Sequence, residues 1–268
     1  MHDNYGLIGA GALGSYLVAH LIGRNFTINI RSEEKKEIFF QRVAEYTSSE
    51  PENIMIVTSN SAVAQVPNLT ALFICVPPSQ VQEVCQEIAD IVHPDTPVIC
   101  LAAKIKLRLL QQWLPRSNSV SRVMTTIQFS PLCVYSENPT AVRTVDRFFS
   151  PKSEVFPSIS DEEIDAVTLV SGCGYALYSW FITEILAGVP ATVDRDQLIR
   201  IIGSTLCTLG DDLQHNNASG VGRLNDIISD VACHGGLTER MILKFRHDGL
   251  NLSIKDAAGN AMSVMNQD

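Results

Sequence analysis

The sequence has few of the features that mark metal-binding, disulfide-bonded or nucleic-acid-binding proteins. None of its seven cysteines belongs to a C-x-x-C pair, and most lie in apolar runs. We therefore predict buried, reduced thiols, and neither zinc ligands nor disulfides. The six histidines form no ligand-spaced cluster with cysteine or carboxylate, so no metal site is predicted. A formal net charge of −9 argues against nucleic-acid or anionic-membrane surfaces as partners.

Targeting and membrane-spanning signals are also lacking. The N-terminus carries no basic region followed by an apolar core, so no signal peptide is predicted and a cytoplasmic location is expected. The longest apolar stretch, residues 175–189, contains Glu184 and is too short to cross a bilayer, which predicts a core helix. The 268 residues, with 46% hydrophobic content, suffice for one large or two modest globular domains.

A glycine-rich turn, G-A-G-A-L-G, occupies residues 9–14. It follows the short apolar stretch 5–8 and opens a helical pattern. A G-x-G-x-x-G between a strand and a helix predicts a nucleotide-binding turn, because the helix N-terminus offers N–H groups to a pyrophosphate. The first glycine would permit the tight turn, the second a close approach to phosphate, and the third close packing of helix on strand. The residues assigned to the cofactor here are Gly9, Gly11, Ala12, Leu13 and Gly14.

The end of the second predicted strand, 25–30, bears on the choice of cofactor. In NAD-binding proteins an acidic residue about 20 positions past the glycines accepts the ribose 2′-hydroxyl. Arg31 and Ser32 stand at that place here. A guanidinium beside a hydroxyl suits a 2′-phosphate, so NADPH is predicted, with NADH still possible. The alternative is an ordinary surface arginine, and the acidic pair at residues 33–34 favours that alternative.

Two domains are predicted from the change of pattern along the chain. The first half alternates helices with apolar strands at 5–8, 25–30, 54–57, 69–76, 97–103 and 120–124, which indicates an α/β fold with a doubly wound parallel sheet. Helical periodicity then dominates over 162–188, 194–216, 223–232, 237–247 and 252–265, and Ser160 with Glu163 forms a capping box. We predict a Rossmann domain over residues 1–159 and an all-helical domain over residues 160–268.

Four later segments resemble the pyrroline-5-carboxylate reductase family. Residues 231–238, V-A-C-H-G-G-L-T, are similar to the family's V-T-S-P-G-G-T-T, and residues 170–176, V-S-G-C-G-Y-A, resemble its S-G-S-G-P-A-Y. Residues 122–124 occupy the place of the start of R-x-M-P-N-T-P, and 187–189 the place of a similar A-G-V turn. The resemblance runs from about residue 5 to 265 in the right order and rough spacing.

This resemblance implies a two-domain, NAD(P)H-dependent oxidoreductase that reduces a cyclic imine to a secondary amine. In the family this is the last step of proline biosynthesis, and the small-molecule imine is pyrroline-5-carboxylate. It further implies a homodimer whose helical domains interlock. Since hydride transfer to a C=N carbon depends mainly on placing two partners at reacting distance, no dedicated strong acid–base pair is required.

The resemblance also supplies further candidate site residues. By position in the motifs, Val76, Pro77 and Thr126 would contact the cofactor, and Ser171, Gly172 and Gly174 the substrate. Gly235 and Gly236 at a predicted helix start would hold a substrate carboxylate on unpaired N–H groups. Thr238 would contact the substrate, and His234 could donate a proton at neutral pH. The alternatives are a plain helix–helix turn with Thr238 as a cap, and a structural histidine.

Several departures from the family leave the substrate open. The lysine of the family's V-K-P is Pro77 here, its nicotinamide-side asparagine is Thr126, and Cys173, Tyr175 and His234 replace a serine and two prolines. These changes are typical of a divergent member acting on another imine. They also fit a non-catalytic, NADP-binding regulatory or interaction protein derived from the family.

Two carbonyl-reducing families are further alternatives. Residues 9–16 also resemble the start of ketopantoate reductases, and the 3-hydroxyacid dehydrogenases share the two-domain plan. Both use a lysine of the helical domain to protonate the forming alkoxide. Lys244 and Lys255 are the only lysines after residue 160, and neither lies on the helix that follows residues 171–174. This favours reduction of a C=N bond.

Overall fold

The computed structural model describes residues 3–49, 53–150, 152–215 and 220–265. The chain forms two compact units. One holds the residues up to Ala176 together with the chain end from Met262, and the other holds Leu177–Ala261. The second unit lies within the predicted helical domain, whereas the first is built around a β-sheet.

The sheet has eight strands in the order β3-β2-β1-β4-β5-β6-β7-β8. Their bounds are β1 Asn4–Ile8, β2 Asn25–Asn29, β3 Ile54–Val57, β4 Ala71–Ile74, β5 Val98–Cys100, β6 Val120–Thr125, β7 Leu132–Tyr135 and β8 Val155–Pro157. The first six are mutually parallel and reverse their order between β1 and β4, as in doubly wound nucleotide-binding folds. The predicted α/β fold with a doubly wound sheet is confirmed.

The last two strands depart from the all-parallel prediction. β7 pairs antiparallel to β6, with Met124 opposite Cys133, and β8 pairs parallel to β7. Only six residues, 126–131, join β6 to β7. A parallel crossover needs a dozen or more residues, so a connection this short returns the chain antiparallel.

Helices cover both faces of the sheet. Those of the first unit that follow strands are α1 Ala12–His20, α2 Glu33–Tyr46, α3 Asn60–Ala64, α4 Pro78–Ile88, α5 Leu107–Trp113 and α6 Pro139–Phe149. One buried cluster packs α1, α2 and α6 against the sheet around Leu17, Phe39 and Phe149, and a second packs α3, α4 and α5 around Val63, Val81 and Leu110. Strands β4 and β5 are apolar throughout because both of their faces are covered.

The chain then turns helical at the predicted capping box. Ser160 accepts the Glu163 N–H at 3.1 Å, and the Glu163 carboxylate accepts the Ile159 N–H at 2.6 Å. Helix α7, Asp161–Val167, continues through a π-helical turn, Thr168–Gly172, into α8, Gly174–Ala187. The remaining helices are α9 Arg195–His215, α10 Gly220–Val231, α11 Leu237–His247 and α12 Leu250–Met265.

A buried ion cluster fastens α7 to the sheet. Arg122 on β6 is 2% exposed, and it pairs with Asp165 through Nη2 at 2.7 Å and with Asp161 through Nη1. Lys106, just before α5, also pairs with Asp165, at 2.5 Å. Because buried charges are costly without partners, this cluster fixes where α7 and the following π turn lie against the end of β6.

The apolar stretch 175–189 is not the core helix that its composition predicts. On α8 the side chains of Leu177, Trp180 and Phe181 are 50%, 57% and 41% exposed in the single chain. The helical run Asp161–Ala187 is also long and apolar enough, by length and composition alone, to cross a membrane. Composition cannot separate a core helix from an apolar helix that the single chain leaves exposed, and this is why the prediction was wrong.

The prediction that the cysteines are buried holds for three of those before residue 160 and is wrong for those after it. Cys85, Cys100 and Cys133 are buried, and burial raises the pKa of Cys85 to about 12 and that of Cys100 to about 11. In contrast Cys173 is exposed, as are Cys207 and Cys233 in the helical unit. All seven are free thiols.

Candidate functional site: a nucleotide cleft at the sheet's switch point

The glycine turn between β1 and α1 has the backbone that the sequence predicts. Gly9 has φ +109°, and a Cβ there would lie 2.5 Å from the backbone carbon of Cys75. At Gly14 a Cβ would lie 2.1 Å from the Gly9 carbonyl oxygen. A Cβ at Gly11 would instead meet open space. Gly9 and Gly14 are therefore required by the fold, whereas Gly11 leaves room for a ligand.

The turn forms one wall of a cleft of about 400 Å³. The cleft opens at the carboxyl ends of β1, β2 and β4, where the strand order reverses and ligands of doubly wound folds bind. Helix α1 begins after Gly11 without a capping side chain, so its first N–H groups are available to an anion. Val76 and Pro77 also line the cleft.

Three cations line the same cleft: Arg31 at the end of β2, and Lys35 and Arg42 on α2. We call these three residues the cation cluster. Ser32 is the N-cap of α2, its Oγ accepting the Lys35 N–H at 3.3 Å, and it is not among the lining residues. Glu33 pairs with Lys36 at 2.7 Å, away from the cleft. Neither Glu33 nor Glu34 lines the cleft, so the acidic pair does not cancel the positive charge of its lining.

A polar network supports the floor of the cleft. Asn29 at the end of β2 donates to Asn60 at 2.5 Å, and Asn60 donates to the Glu87 carboxylate at 2.7 Å. Partial burial acts to raise the pKa of Glu87, but hydrogen bonds from Asn60 and Ser61 together with the charge of Arg31 outweigh it and lower that pKa. An ionised Glu87 therefore holds the buried Asn60 in place.

The residues taken from the serine–glycine motif lie at the end of β6. The π turn brings Gly172 against this strand, with the position of its Cβ 3.5 Å from the Met124 sulfur. Ser171 precedes it with a buried Oγ that has no partner among the described residues, and Gly174 is buried at the start of α8. π turns of this kind are frequent at functional sites. The sequence motif gave no sign of this backbone.

Thr126 lies in the turn after β6, and its hydroxyl is used within that turn. It donates to the Ser130 carbonyl at 2.9 Å and accepts the Gln128 N–H at 3.2 Å. Thr126 is not among the residues that line the cleft. Its role at the cofactor stays a prediction.

The second glycine motif, in the helical unit, forms a helix start. Helix α11 begins after Gly236 without a side-chain N-cap, and Gly235 has φ +77°. The Gly235 N–H donates to the Glu239 carboxylate at 2.6 Å, and His234 Nδ1 lies 3.4 Å from the same carboxylate. His234 is fully exposed and Thr238 is exposed. A carboxylate of the chain itself therefore stands where the sequence predicts a substrate carboxylate.

Comparison with known proteins finds separate matches for the two halves of the chain, and the second match begins close to the predicted domain boundary at 159/160. The ketopantoate reductase PanE/ApbA family matches residues 5–132, and the pyrroline-5-carboxylate reductase dimerisation family matches residues 161–267. A pyrroline-5-carboxylate reductase of Pisum sativum is 23% identical over 272 residues, covering 96% of this chain and 93% of the relative. The chain is therefore similar to a pyrroline-5-carboxylate reductase over nearly its whole length.

Solved structures of this family have the same fold. The pyrroline carboxylate reductase of Plasmodium falciparum, with NADP bound, superposes with a TM-score of 0.78 at 16% identity, covering 98% of this chain and 97% of that one. The enzyme of Coxiella burnetii gives 0.72 at 20% identity, covering 99% and 98%. At these identities the likeness establishes the fold alone.

The structure brings together part of the predicted cofactor site. One cleft is lined by Gly9, Gly11, Arg31, Val76 and Pro77. Sequence reasoning missed Lys35, Arg42 and Asn60. For the two cations a signal existed, because residues 35, 38 and 42 follow the spacing of one helix face and all three line the cleft. The predicted domain boundary at 159/160 stays a prediction, since compactness divides the chain after Ala176.

Proposed function

We propose that this protein uses NADPH to reduce a cyclic imine to a secondary amine. The observation that carries the proposal is the cleft at the switch point, built from a glycine turn and a cation cluster, in a chain whose helical half matches a reductase dimerisation domain. Bound NADPH would supply the hydride. The cofactor fits because the cradle at Gly11 is open and the chain's positive side chains face it.

The chain's own residues have binding and positioning roles in this reaction. Gly9, Gly11 and the N–H groups of Ala12 and Leu13 at the start of α1 would hold the pyrophosphate, and Arg31 would contact the 2′-phosphate, with Ser32 capping α2 beside it. Gly14 keeps α1 against the turn. Val76 and Pro77 also line the cleft. These residues would hold and orient the bound cofactor, the source of the hydride for the imine carbon.

The substrate half of the proposal rests on two glycine segments. By the resemblance, Ser171, Gly172 and Gly174 are the substrate-contact candidates of one segment, and Gly235, Gly236 and Thr238 are those of the other. His234 is the candidate proton donor to the forming amine, since a histidine exchanges protons near neutral pH. Glu239 already accepts from Gly235, so a substrate carboxylate has to displace or repel it. This points to imines other than pyrroline-5-carboxylate as the better substrates.

A homodimer is part of the proposal. Helices α8, α9 and α12 of the single chain expose large apolar side chains, among them Trp180, Ile199 and Leu252. A monomeric soluble protein rarely leaves this much apolar surface in water. A second copy packing on these helices would bury it. A cytoplasmic location stays a prediction.

The test is NADPH oxidation, followed by nicotinamide absorbance, with pyrroline-5-carboxylate, 1-pyrroline and a panel of larger cyclic imines. Turnover of any imine, lost in Thr238→Ala with NADPH affinity unchanged, supports the proposal. NADPH binding without turnover of any imine favours the non-catalytic reading.

Carbonyl reduction is the second candidate function, because the N-terminal half matches the ketopantoate reductase family. That half carries the cofactor cleft, whereas the helical half matches the imine-reductase family. Lys244 pairs with Asp248 at 2.8 Å near the end of α11, which does not suit a proton donor to an alkoxide. Turnover of ketopantoate, but of no imine, would decide for this candidate.

A further inference from the structure

The cation cluster has more charge than the predicted contact with one arginine requires. Arg31 is followed by Ser32, the N-cap of α2, and the helix then presents Lys35 and Arg42 to the same cleft. These two side chains are separated by two helical turns, so they lie on one face of α2. Ile38, between them on that face, also lines the cleft.

Within the part of the chain that the structure describes, the side chains of the cation cluster form no salt bridge with a carboxylate. The neighbouring lysine behaves differently, since Lys36 is held by Glu33 at 2.7 Å. In a chain of net charge −9, three cations converging on one cleft indicate an anionic ligand.

The position of the cluster identifies which part of the ligand it meets. In doubly wound folds the residue after the second strand contacts the ribose of the adenosine half of the dinucleotide, and the glycine turn contacts the pyrophosphate. Arg31 stands directly after β2 and Ile30, and α2 begins two residues later. Lys35 and Arg42 therefore lie on the adenosine side of the cleft. The anion at that place is the 2′-phosphate.

We propose that Lys35 and Arg42 bind the 2′-phosphate of NADPH together with Arg31, and that they set the preference for NADPH over NADH. This rests on the proposed use of NADPH. The Arg31 and Arg42 guanidinium groups can each offer two N–H donors to one phosphate, and Lys35 adds a point charge.

The experiment is a fluorescence titration of the purified protein with NADPH, NADH and 2′,5′-ADP in the absence of any imine. Lys35→Ala and Arg42→Ala should each weaken NADPH and 2′,5′-ADP binding about tenfold, the effect of losing one charge-assisted contact, with NADH affinity within about twofold of the parent. The double variant should approach the NADH affinity. Lys36→Ala is the matched control, because its lysine adjoins Lys35 but pairs with Glu33.

Two outcomes overturn the proposal. One is unchanged NADPH affinity in both single variants. The other is equal weakening of NADPH and NADH, which would assign the two cations to the pyrophosphate or to folding. Charge reversal, Lys35→Glu, provides a second measure, since an exposed residue tolerates it and NADPH binding should fall further than in Lys35→Ala. The expected binding pattern without turnover of any imine would leave this proposal standing and overturn only the proposed function.

Discussion

The backbone N–H of Gly235 donates to the carboxylate of Glu239, at 2.6 Å. This contact closes the turn that precedes α11, and it gives the Gly235 N–H a partner within the chain. It also puts a negative charge where the resemblance to pyrroline-5-carboxylate reductases places a substrate carboxylate.

Glu239→Gln should therefore change which imine the protein reduces. Glutamine keeps a hydrogen-bond acceptor for Gly235 and removes the charge. We expect kcat/KM for pyrroline-5-carboxylate to rise about tenfold, and that for 1-pyrroline, which has no carboxylate, to stay within about twofold. Steady-state kinetics with both imines give the ratio. An unchanged ratio would mean that Glu239 does not face the substrate. Glu184→Gln, a change of another carboxylate in the helical unit, is the control.

The two outer glycines of the first turn differ from the middle one in what they do. A Cβ at Gly14 would meet the Gly9 carbonyl oxygen at 2.1 Å, so Gly14→Ala should lower the free energy of unfolding by at least about 2 kcal/mol. At Gly11 the space is open and φ is −82°. Aspartate is a preferred N-cap, so Gly11→Asp should keep the stability of the parent.

Nucleotide affinity should rank the two variants in the opposite order, with Gly11→Asp the more impaired. Gly11→Asp places a carboxylate against the pyrophosphate and should weaken NADPH and NADH alike by about a hundredfold or more. Urea unfolding and nucleotide titration of the same two variants provide the comparison. A Gly11→Asp protein that is folded and still binds NADPH like the parent would remove this turn from the cofactor site.

The exposed apolar helices predict a specific change in oligomeric state. Trp180 on α8 is 57% exposed in the single chain. Trp180→Glu puts a charge into the surface that a second copy would cover, and we expect the particle to shift from about twice 29.4 kDa to a monomer in light scattering after gel filtration. Met55→Glu is the control, because Met55 on β3 is 61% exposed outside the helical unit. A monomeric parent protein would contradict the dimer.

The sequence was most informative where one principle decides the structure. Strand β4 was predicted because a parallel strand covered on both faces is continuously apolar, and the glycine turn because its backbone needs glycine at positions 9 and 14. Strand β7 was missed because it follows β6 without an intervening helix, and β8 because it is largely exposed and ends in a proline. Such segments form through pairing with neighbours more than through their own pattern.

The site was predicted less completely than the fold, because it depends on which side chains meet across elements. Lys35 and Arg42 have helical spacing, but only the packing of α2 beside β2 puts them in the cleft. Asn60 belongs to a five-residue helix that no periodicity announces. Hydropathy likewise described α8 correctly as apolar, yet contained nothing to tell a core from an interface.

Stability should depend on pH through His20 at the end of α1. Its ring lies 5.6 Å from that of Phe129 and 6.0 Å from that of Phe149, and Lys152 Nζ donates to its carbonyl at 2.5 Å. Burial, with a smaller contribution from the Lys152 charge, lowers the pKa of His20 below its ordinary value of 6.5.

A lowered pKa means that the unfolded chain binds this proton more readily than the folded one. The contribution to stability is therefore complete above about pH 6.5 and is lost as the pH falls through the folded-state pKa. We expect the urea midpoint to decline as the pH is lowered from about 7 to 5, and the decline to be shallower in His20→Gln. His247→Gln, a change of an exposed histidine on α11, should retain the full decline. If both variants follow the parent curve, another group is responsible, and burial of His20 among the phenylalanine rings does not restrict its protonation.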